Sequence, residues 1–466
     1  MIARAFLGLA VVELVGAALL TLLGAELRRW SLAGKAGLSF GLGLVALTSF
    51  LFVASLAGAT PRAWLGLVEL GVLAAAVLVL RRERLTAWRE SPGADRSPSR
   101  GARVGSAVLL LFVAGTCAIV GATSLAEPLV EWDVLAIWGL KAKVLLASPV
   151  RATDYFQDVA HAYSHLDYPL LWPLAMAWTW ACSGDTDLLA VKALGPALLC
   201  AHVGMCHGLL RRRLDARDAL LGTAVLAAVP MLLSQCARMS ADAPLALFVL
   251  GAFGCAWLWL ESGHGDDLRL AGVFAAGMLL TKNEGLALQV VLLACVAAGV
   301  ALAGRRRSSS ALGWLVVAPL LVSGAWFWFR AAVPKVHEDY GARLQPRVFL
   351  ENVERVPTVL ARAPTYLGSF TDWHLFWPLV AAVLVLTARA WVRRTAAFLV
   401  ASVALVLLLY AYVYVVTPWD PVELMETSAC RLLLHVAPLA VLAVAEAARA
   451  AGWLRSSDEV CESATW

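Results

Sequence analysis

Apolar residues occur along this chain in long blocks separated by short polar segments. A membrane-spanning α-helix needs roughly 20 consecutive, mainly apolar residues. We therefore predict thirteen spans, at about 5–25, 37–58, 63–80, 104–122, 187–210, 218–236, 243–260, 269–281, 284–304, 311–331, 373–390, 396–416 and 430–449. A further apolar segment, 168–183, is short and contains two prolines, so it is not counted as a span.

The composition excludes a soluble fold. Hydrophobic residues make up 61% of the 466 positions, charged residues only 15%, and the mean hydropathy is +0.76. A soluble domain carries about 25% charged residues. The predicted fold is an all-α polytopic membrane protein with about 13 transmembrane helices, a half-buried or re-entrant helix and external interfacial helices. The first apolar run is too long for a typical signal peptide and lacks a clear cleavage site, so we expect a retained helix.

Charge and cysteine content narrow the function. The net charge of +5 is small and lies mostly in short loops, which indicates membrane topology rather than a nucleic-acid partner. The nine cysteines are scattered and form no Cys-x-x-Cys or Cys/His cluster. The sequence therefore indicates neither a disulfide framework nor a zinc site.

Basic segments predict the orientation, because cytoplasmic loops are enriched in arginine and lysine. They are 81–103, 211–218, 304–307 and 391–394. If 168–183 crossed the membrane, the arginines of 211–213 would face outside. We therefore predict that this segment dips into the membrane and returns to the outer face, which is tolerated where protein covers the backbone. The predicted external segments are then 123–167, 237–242, 281–285, 332–372 and 417–429.

The same pattern predicts four parts of the chain. Residues 1–80 form an N-terminal three-helix membrane segment, and 81–103 a basic cytoplasmic linker. Residues 104–450 form the main transmembrane domain, and 451–466 a cytoplasmic tail.

The first external segment opens with the stretch EWDVLAIWGLKAK, which favours a helix. Asp133 and Lys141 share a face but lie roughly 12 Å apart along the axis, so they cannot pair directly. One interpretation is an amphipathic helix on the bilayer with Glu131, Asp133, Lys141 and Lys143 in water. The other is that these residues contact different parts of one ligand.

The same segment ends in HAYSHLDYPLLWP. We predict that Asp167 caps a helix whose first turn contains Tyr168 and Pro169. A helix N-terminus beside His165 is also suited to an anion, so this motif is a candidate binding element.

Three further polar groups interrupt apolar runs on the predicted outer side. Arg238 and Asp242 are four residues apart, so the simplest interpretation is a pair on one helix. Lys282 and Glu284 lie at membrane depth, where charges are costly unless paired or hydrated, which makes them candidates for function. The alternative is a plain external turn.

The last external motif lies in the final span. Arg431 and His435 share one helical face at its outer end. Arg431 either extends to the membrane interface or binds a phosphate, for which the guanidinium is well shaped.

In this order, the motifs resemble the GT-C superfamily of membrane glycosyltransferases, in particular bacterial relatives of dolichyl-phosphate-mannose protein mannosyltransferases. The resemblance covers roughly 104–450. It is carried by EWD at the start of the first external loop, HLDYPLLWPL at its end, Arg238 with Asp242, the TKNEG break and a late arginine. The chain departs from the family in the tryptophan between its two acids, in LDYP where two prolines are common, and in three extra N-terminal helices.

The resemblance implies an inverting hexosyl or pentosyl transferase in the bacterial inner membrane, with its active site facing outside. The donor is a polyprenyl-phosphate sugar, and the acceptor is a glycan, a lipid or a protein. Asp133, with Glu131, is the candidate general base. Substrate binding falls to the charged, histidine and tyrosine residues of the other motifs, namely Lys141, Lys143, His165, Asp167, Tyr168, Arg238, Asp242, Lys282, Glu284, Arg431 and His435.

Alternatives remain on the sequence alone. Glu131 and Asp133 either act in catalysis directly or hold a divalent cation, Mg or Mn, that bridges the phosphate. Other functions are a transporter or flippase of an amphiphile, a lipid-linked glycan ligase or polymerase, and a membrane scaffold. A transporter predicts paired broken helices in two halves, and the sequence shows no such pair.

Overall fold

The computed structural model describes residues 1–90, 100–302, 309–334, 340–392 and 394–456, and these parts are mainly helical. The first eight α-helices are α1 (Ile2–Leu22), α2 (Leu32–Leu56), α3 (Ala63–Leu80), α4 (Arg100–Ala126), α5 (Leu140–Ala147), α6 (Leu171–Ser183), α7 (Leu188–Val191) and α8 (Leu194–Arg211). The predicted all-α polytopic membrane fold is confirmed.

The second part of the chain continues in the same way. Its helices are α9 (Ala216–Ala227), α10 (Pro230–Ala237), α11 (Asp242–Ser262), α12 (Gly265–Thr281), α13 (Glu284–Leu302), α14 (Ser309–Arg330), α15 (Tyr340–Arg343), α16 (Pro346–Glu351), α17 (Val356–Leu367), α18 (Phe370–Trp373), α19 (Phe376–Leu386), α20 (Ala388–Trp391), α21 (Arg394–Val416), α22 (Pro421–Leu434) and α23 (Ala437–Ala450). Short 3-10 turns occur at Leu27–Arg29, Arg82–Trp88, Val159–Ser164 and Val353–Arg355, and a π-helix at Asp133–Gly139.

Nine helices in the described parts are long and apolar enough to cross a membrane alone, and eleven spans result if two bent pairs count as one each. One bent pair is α9 with α10, at 63°, and the other is α22 with α23, at 49°. Two predicted spans correspond to shorter helices, α12 with 17 residues and α19 with 11. The predicted count of thirteen is therefore unconfirmed, although every predicted span falls on a helix or a bent pair.

Helix α6 corresponds to the segment predicted to dip and return. Its 13 residues span about 20 Å, less than the roughly 30 Å of a bilayer core. A Cβ on Gly184, just after α6, would lie 3.7 Å from the Arg4 guanidinium, at the start of α1. The other end of α1 lies near the start of α12, because the Leu23 carbonyl accepts a hydrogen bond from Arg269 of α12.

The N-terminal helices pack closely against the main domain. A Cβ on Gly37 of α2 would lie 2.3 Å from the Met205 backbone nitrogen of α8. A Cβ on Gly16 of α1 would lie 1.7 Å from the Ser39 carbonyl oxygen of α2. Only glycine permits these backbone approaches, so α1 packs closely on α2, and α2 packs closely on the main domain.

The buried ion pairs gather at two opposite ends of the bundle, whereas Glu13 and Glu69 lie midway along α1 and α3. Helix α11 runs from Asp242 to Ser262, and α12 runs back from Gly265 to Thr281. At 1.5 Å per residue, the two ends of α11 lie about 30 Å apart. We call them the Asp242 end and the Asp267 end, after the buried carboxylate at each.

The segments predicted to lie on opposite sides of the membrane are found at opposite ends of the bundle. Described parts of the segments predicted to be cytoplasmic, 81–90 and 211–218, contact the Asp267 end through Lys35 and Arg212. The motifs predicted to be external meet at the Asp242 end. Residues 91–99, 303–308, 335–339, 393 and 457–466 lie outside the described residues; they include parts of the predicted linker, basic loops, external loop and tail.

Candidate active site

Asp242 is the centre of a buried ionic cluster. It is the first residue of α11, and only 1% of its surface is exposed. Its Oδ1 accepts hydrogen bonds from Lys282 Nζ at 2.7 Å and His435 Nε2 at 2.9 Å. Its Oδ2 accepts from Arg431 Nε at 2.8 Å and Ser240 Oγ at 2.9 Å. Four donors satisfy the carboxylate, as burial of a charged group requires.

Breaks between helices bring these donors together. Lys282 follows the last residue of α12 in extended conformation, and α13 begins two residues later. Arg431 lies in the last turn of α22, and His435 follows α22 at the 49° bend. Pro438 lies in the first turn of α23. Proline is tolerated there because the backbone N–H groups of the first turn have no partner within the helix.

Arg431 joins the buried carboxylate to an accessible one. Its NH2 lies 2.8 Å from Asp133 Oδ2, while its Nε donates to Asp242. The Asp133 side chain is 33% exposed and that of Arg431 35%, against 1% for Asp242. One guanidinium therefore has a permanent buried partner and a second partner at the solvent boundary.

Lys282 contacts two carboxylates. Its ammonium lies 2.7 Å from Asp242 and 2.9 Å from Glu284 Oε1. Burial alone would lower the pKa of Lys282, but these two carboxylates outweigh burial and hold its pKa above the ordinary value. The Glu284 Oε2 atom is buried and has no hydrogen-bond partner among the described residues, so this carboxylate has a free acceptor inside the cluster.

Tyr410 is a member of the cluster that the sequence analysis missed. Its hydroxyl lies 2.6 Å from His435 Nδ1, and both side chains are buried. Because a carboxylate only accepts, His435 Nε2 donates to Asp242, and in that tautomer Nδ1 accepts a hydrogen bond from the Tyr410 hydroxyl. The chain Tyr410–His435–Asp242 fixes the histidine. The signal was a tyrosine inside an apolar span, since a buried hydroxyl needs a partner.

A second cluster surrounds Asp167. Its Oδ2 accepts from Asn283 Nδ2 at 2.9 Å and from Arg330 NH2 at 3.1 Å. Asn283 follows Lys282 directly, so the two clusters are adjacent. The predicted cap at Asp167 is wrong, because α6 begins at Leu171 and its N-cap residue, Leu170, has no side-chain cap. The Asp167 carboxylate instead accepts hydrogen bonds from Asn283 and Arg330, which the sequence analysis did not select.

The predicted helical pair of Arg238 and Asp242 is also wrong. Arg238 follows the end of α10, and Met239 takes a left-handed φ of 62° before α11 begins. This turn directs Arg238 to Glu131, at 3.1 Å, and leaves Asp242 to the buried cluster. Both members of the outer pair are substantially exposed, at 55% and 43%.

Glu131 and Asp133 do not form a ready metal site. Each carboxylate is paired with an arginine. The described residues contain no group of three histidine, cysteine or acidic side chains that could hold a metal ion. A divalent cation would have to displace both arginines, so the Mg or Mn site stays a prediction and no step below depends on it.

Lys141 is not the solvated lysine of an amphipathic surface helix. Its side chain is fully buried, and its ammonium donates to the His165 carbonyl. The ammonium also lies 5.8 Å from the Trp138 ring and 5.6 Å from the Tyr168 ring. Burial lowers the pKa of Lys141 to about 7, and the Asp167 carboxylate opposes this shift. Lys141 therefore holds the turn that carries Asp167.

The neighbouring candidates divide into two groups. His165 and Tyr168 stack with ring centroids 4.6 Å apart, next to Asp167. Lys143 lies elsewhere, with its ammonium 5.9 Å from the ring of Trp180 in the last turn of α6. The structure therefore brings His165 and Tyr168 to the Asp242 end, beside the ionic clusters, and leaves Lys143 apart from them.

Backbone strain concentrates at the same end. In the described residues, the non-glycine positions with left-handed φ are His165, Met239 and His374, at 52°, 62° and 48°. Two of them directly position Asp167 and Arg238. Such backbone persists only where surrounding structure enforces it, and it clusters at functional sites.

A comparison with known families finds a match to part of the chain. Residues 169–328, about a third of the chain, match the family model described as dolichyl-phosphate-mannose-protein mannosyltransferase. The match confirms the predicted resemblance over these residues and supports a membrane glycosyltransferase of the GT-C type. Neither the curated proteins nor the solved structures contain a match.

The matched range holds only part of the candidate site. It includes Arg238, Asp242, Lys282 and Glu284. Asp133 and Arg431 lie outside it and join the site through the contacts described above. Their assignment therefore depends on geometry rather than on the family match.

Proposed function

We propose that this chain is an inverting glycosyltransferase that moves a sugar from a polyprenyl-phosphate donor to an acceptor at the outer face of the membrane. The observation that carries the proposal is the shared guanidinium of Arg431, which contacts buried Asp242 and accessible Asp133. The family match supports the donor class. The proposed outer location is supported by the arginine-rich segments predicted to be cytoplasmic, because their described parts contact the opposite end of the bundle.

Substrate binding breaks the weaker of the two Arg431 contacts. A solvent-accessible ion pair contributes about 0–1 kcal/mol, whereas removing one partner of a buried pair costs about 3–5 kcal/mol. The donor phosphate therefore replaces Asp133 on Arg431 and leaves Asp242 in place. The same exchange releases the Asp133 carboxylate next to the reacting sugar.

The reaction is then a single displacement. Asp133 takes the proton of the acceptor hydroxyl, and the oxygen attacks the anomeric carbon. The bond from that carbon to the phosphate oxygen breaks, and the phosphate keeps the electron pair. Arg431, with Lys282 behind it, supplies the positive charge for this anion, and a preorganised cation stabilises such a transition state. Attack from the face opposite the phosphate inverts the anomeric centre.

The test is Asp133→Asn in the purified full-length protein, assayed for transfer from labelled polyprenyl-phosphate sugars. General-base catalysis contributes about 10²–10⁴-fold, so kcat should fall by at least about 100-fold. The matched control is Asp185→Asn, an exposed acid after α6 with no described side-chain contact. Wild-type turnover in Asp133→Asn would remove it as the base, and a product with the donor's anomeric configuration would exclude a single displacement.

Sidedness has a separate test. An impermeant maleimide applied to intact cells should label Asp185→Cys, near the Asp242 end, above the background of the native cysteines. It should not label Glu83→Cys, which lies in the 3-10 turn near the Asp267 end. The reverse pattern would place the candidate site in the cytoplasm.

No observation favours a transporter. Transporter sites lie near the membrane midplane between repeated halves, whereas the ion clusters described here lie at the two ends of α11 and α12.

A further inference from the structure

Two arginine side chains from separate parts of the chain converge on Gly24, in the turn between α1 and α2. A Cβ on Gly24 would lie 3.1 Å from Arg269 NH2 and 4.0 Å from Arg84 NH1. Arg269 belongs to α12, and Arg84 lies in the 3-10 turn Arg82–Trp88. Gly24 has a left-handed φ of 76°, which suits glycine. We call Arg84 and Arg269, which meet here at the Asp267 end, the Gly24 arginines.

Neither of the Gly24 arginines is neutralised by a close carboxylate. Arg269 Nε donates to the Leu23 carbonyl at 2.6 Å, and Arg84 NH1 donates to the Ala25 carbonyl at 3.1 Å. Within the described residues, no acid forms an ion pair with Arg269, and the acid close to Arg84 is its exposed sequence neighbour Glu83, at 3.8 Å. A guanidinium has five N–H donors, so both side chains keep donors beyond these two hydrogen bonds.

The carboxylates nearby are engaged with other groups. Asp266 lies about one helical turn before Arg269, and its Oδ2 accepts a hydrogen bond from the Glu26 N–H at 2.9 Å. Three other arginines at this end each contact a carboxylate, in the pairs Arg28 with Glu90, Arg29 with Glu26, and Arg212 with Asp267. The Gly24 arginines are therefore two like charges at one point with no carboxylate between them in the described structure. Their mutual repulsion favours the binding of an anion.

A phosphate matches this pair of cations. Guanidinium groups bind phosphate oxygens through parallel, charge-assisted hydrogen bonds. A phosphate also has enough oxygen atoms to accept from two arginines at once. The chemistry of the Gly24 arginines therefore selects a phosphate group.

The surroundings favour a phosphate that is attached to a lipid. Helix α3 ends at Leu80, four residues before Arg84. Its last three residues, Leu78, Val79 and Leu80, are 59%, 80% and 61% exposed. This apolar surface borders the cations at the end of a membrane helix, which suits acyl chains below a headgroup. Anionic lipids attract basic segments at the membrane surface, whereas a phospholipid without net charge brings its own cation.

We propose that Arg84 and Arg269 bind the phosphate of an anionic phospholipid whose acyl chains lie along the end of α3. The lipid then joins the turn after α1 and the 3-10 turn after α3 to α12 of the main domain. This site lies at the opposite end of the bundle from the candidate active site, so it does not depend on the proposed sugar transfer. It gives the three N-terminal helices a role in holding a lipid.

The test measures lipid binding by the full-length protein in detergent, by native mass spectrometry. The probes are dioleoyl phosphatidylglycerol, which is anionic, and dioleoyl phosphatidylcholine, which has the same acyl chains and no net charge. Each arginine near an anionic lipid contributes about fivefold in affinity, so phosphatidylglycerol should bind at least about tenfold more tightly. Arg84→Gln and Arg269→Gln should each weaken its binding about fivefold, and the double variant should lose most of the preference.

Arg82→Gln is the matched control. It makes the same change of charge in the same 3-10 turn, but Arg82 is exposed and has no described side-chain contact. Phosphatidylglycerol should bind this variant as it binds wild type. Thermal unfolding without lipid shows whether each variant is folded. The Arg84 side chain is 36% exposed, so Arg84→Gln provides the test if the double variant does not fold.

Three results would overturn the proposal. Equal affinity of wild type for the two lipids would show that the site does not select an anion. Equal losses in Arg82→Gln and Arg84→Gln would show a general attraction to basic residues rather than a site at Gly24. Displacement of phosphatidylglycerol by an equal concentration of soluble glycerol phosphate would show that the site takes a free phosphate and not a lipid.

Discussion

The two ends of the bundle contain the same kinds of charged residue but pair them differently. At the Asp267 end, Arg212 donates both of its terminal nitrogens to one carboxylate, Asp267, at 3.0 Å each. Both side chains are almost fully buried. Lys35 at the same end donates to the backbone carbonyls of Ala87, Trp88 and Glu90. These cations have all their strong partners inside the protein.

At the Asp242 end, the main cation has one buried and one accessible partner. Arg431 donates to Asp242 inside the bundle and to Asp133 at its surface. A closed pair, as at the Asp267 end, can only stabilise the fold. A cation that is anchored on one side and replaceable on the other can also bind an incoming anion. Burial, rather than residue type, therefore distinguishes Arg431 from Arg212. Arg213, beside Arg212, also bridges buried Glu446 and partly exposed Glu261, but its own side chain is only 14% exposed, against 35% for Arg431.

Removing the buried carboxylate at each end should give the largest effects. Breaking a buried pair costs about 3–5 kcal/mol, so Asp242→Asn and Asp267→Asn should both lower the free energy of unfolding by this order. Only Asp242→Asn should also abolish sugar transfer by the molecules that stay folded, because it releases Arg431 and Lys282. Denaturant unfolding in detergent and turnover per folded molecule measure the two quantities. A folded Asp242→Asn variant that still transfers sugar would contradict a catalytic role for the Asp242 end.

Arginine-to-lysine changes at the two ends should separate the effects of each end on catalysis and on stability. Arg431→Lys keeps the charge but cannot contact two carboxylates through separate nitrogens, so kcat should fall by about 10–100-fold, equivalent to about 1.4–2.7 kcal/mol. Arg212→Lys makes the same change at the Asp267 end and should alter stability with little effect on kcat. Steady-state kinetics and thermal unfolding of both variants provide the measurement. Equal losses of kcat would show that the two ends do not differ in function.

Lys141 predicts a dependence of stability on pH. Its folded pKa is about 7, below the ordinary value of 10.5. Between these values the unfolded chain binds more protons than the folded chain, so the free energy of unfolding rises with pH. Below about pH 7 the ammonium is charged in both states, and the full cost of burying it remains. Unfolding of wild type from pH 6 to pH 10 should show this rise, and Lys141→Met should reduce it; identical slopes would exclude Lys141 as the source.

The exposed pair at the Asp242 end should give the smallest effect on stability. Glu131→Gln removes the partner of Arg238, and exposed ion pairs contribute about 0–1 kcal/mol. The free energy of unfolding should change by less than about 1 kcal/mol, measured beside Asp242→Asn under the same conditions. A loss as large as that of Asp242→Asn would mean that burial does not separate the two kinds of pair.

The sequence by itself determined the membrane class, nearly all helical segments and the types of residue at the site. Hydropathy is a local property, so apolar runs predict spans without knowledge of the partners around them. Asp133, Asp242, Lys282 and Arg431 were visible for the same reason, because each is a charged residue that borders or interrupts an apolar run. All four meet at one end of the bundle.

Only the tertiary structure decided which charges pair. Arg238 and Asp242 are four residues apart, yet the turn at Met239 separates them and sends Arg238 to Glu131. Asp167 does not cap the helix that follows it and bonds Arg330 instead, 163 residues away. Lys141, expected in water or at a ligand, is buried. The choice of partner depends on distance and burial in three dimensions, and neither is encoded in the spacing of residues along the chain.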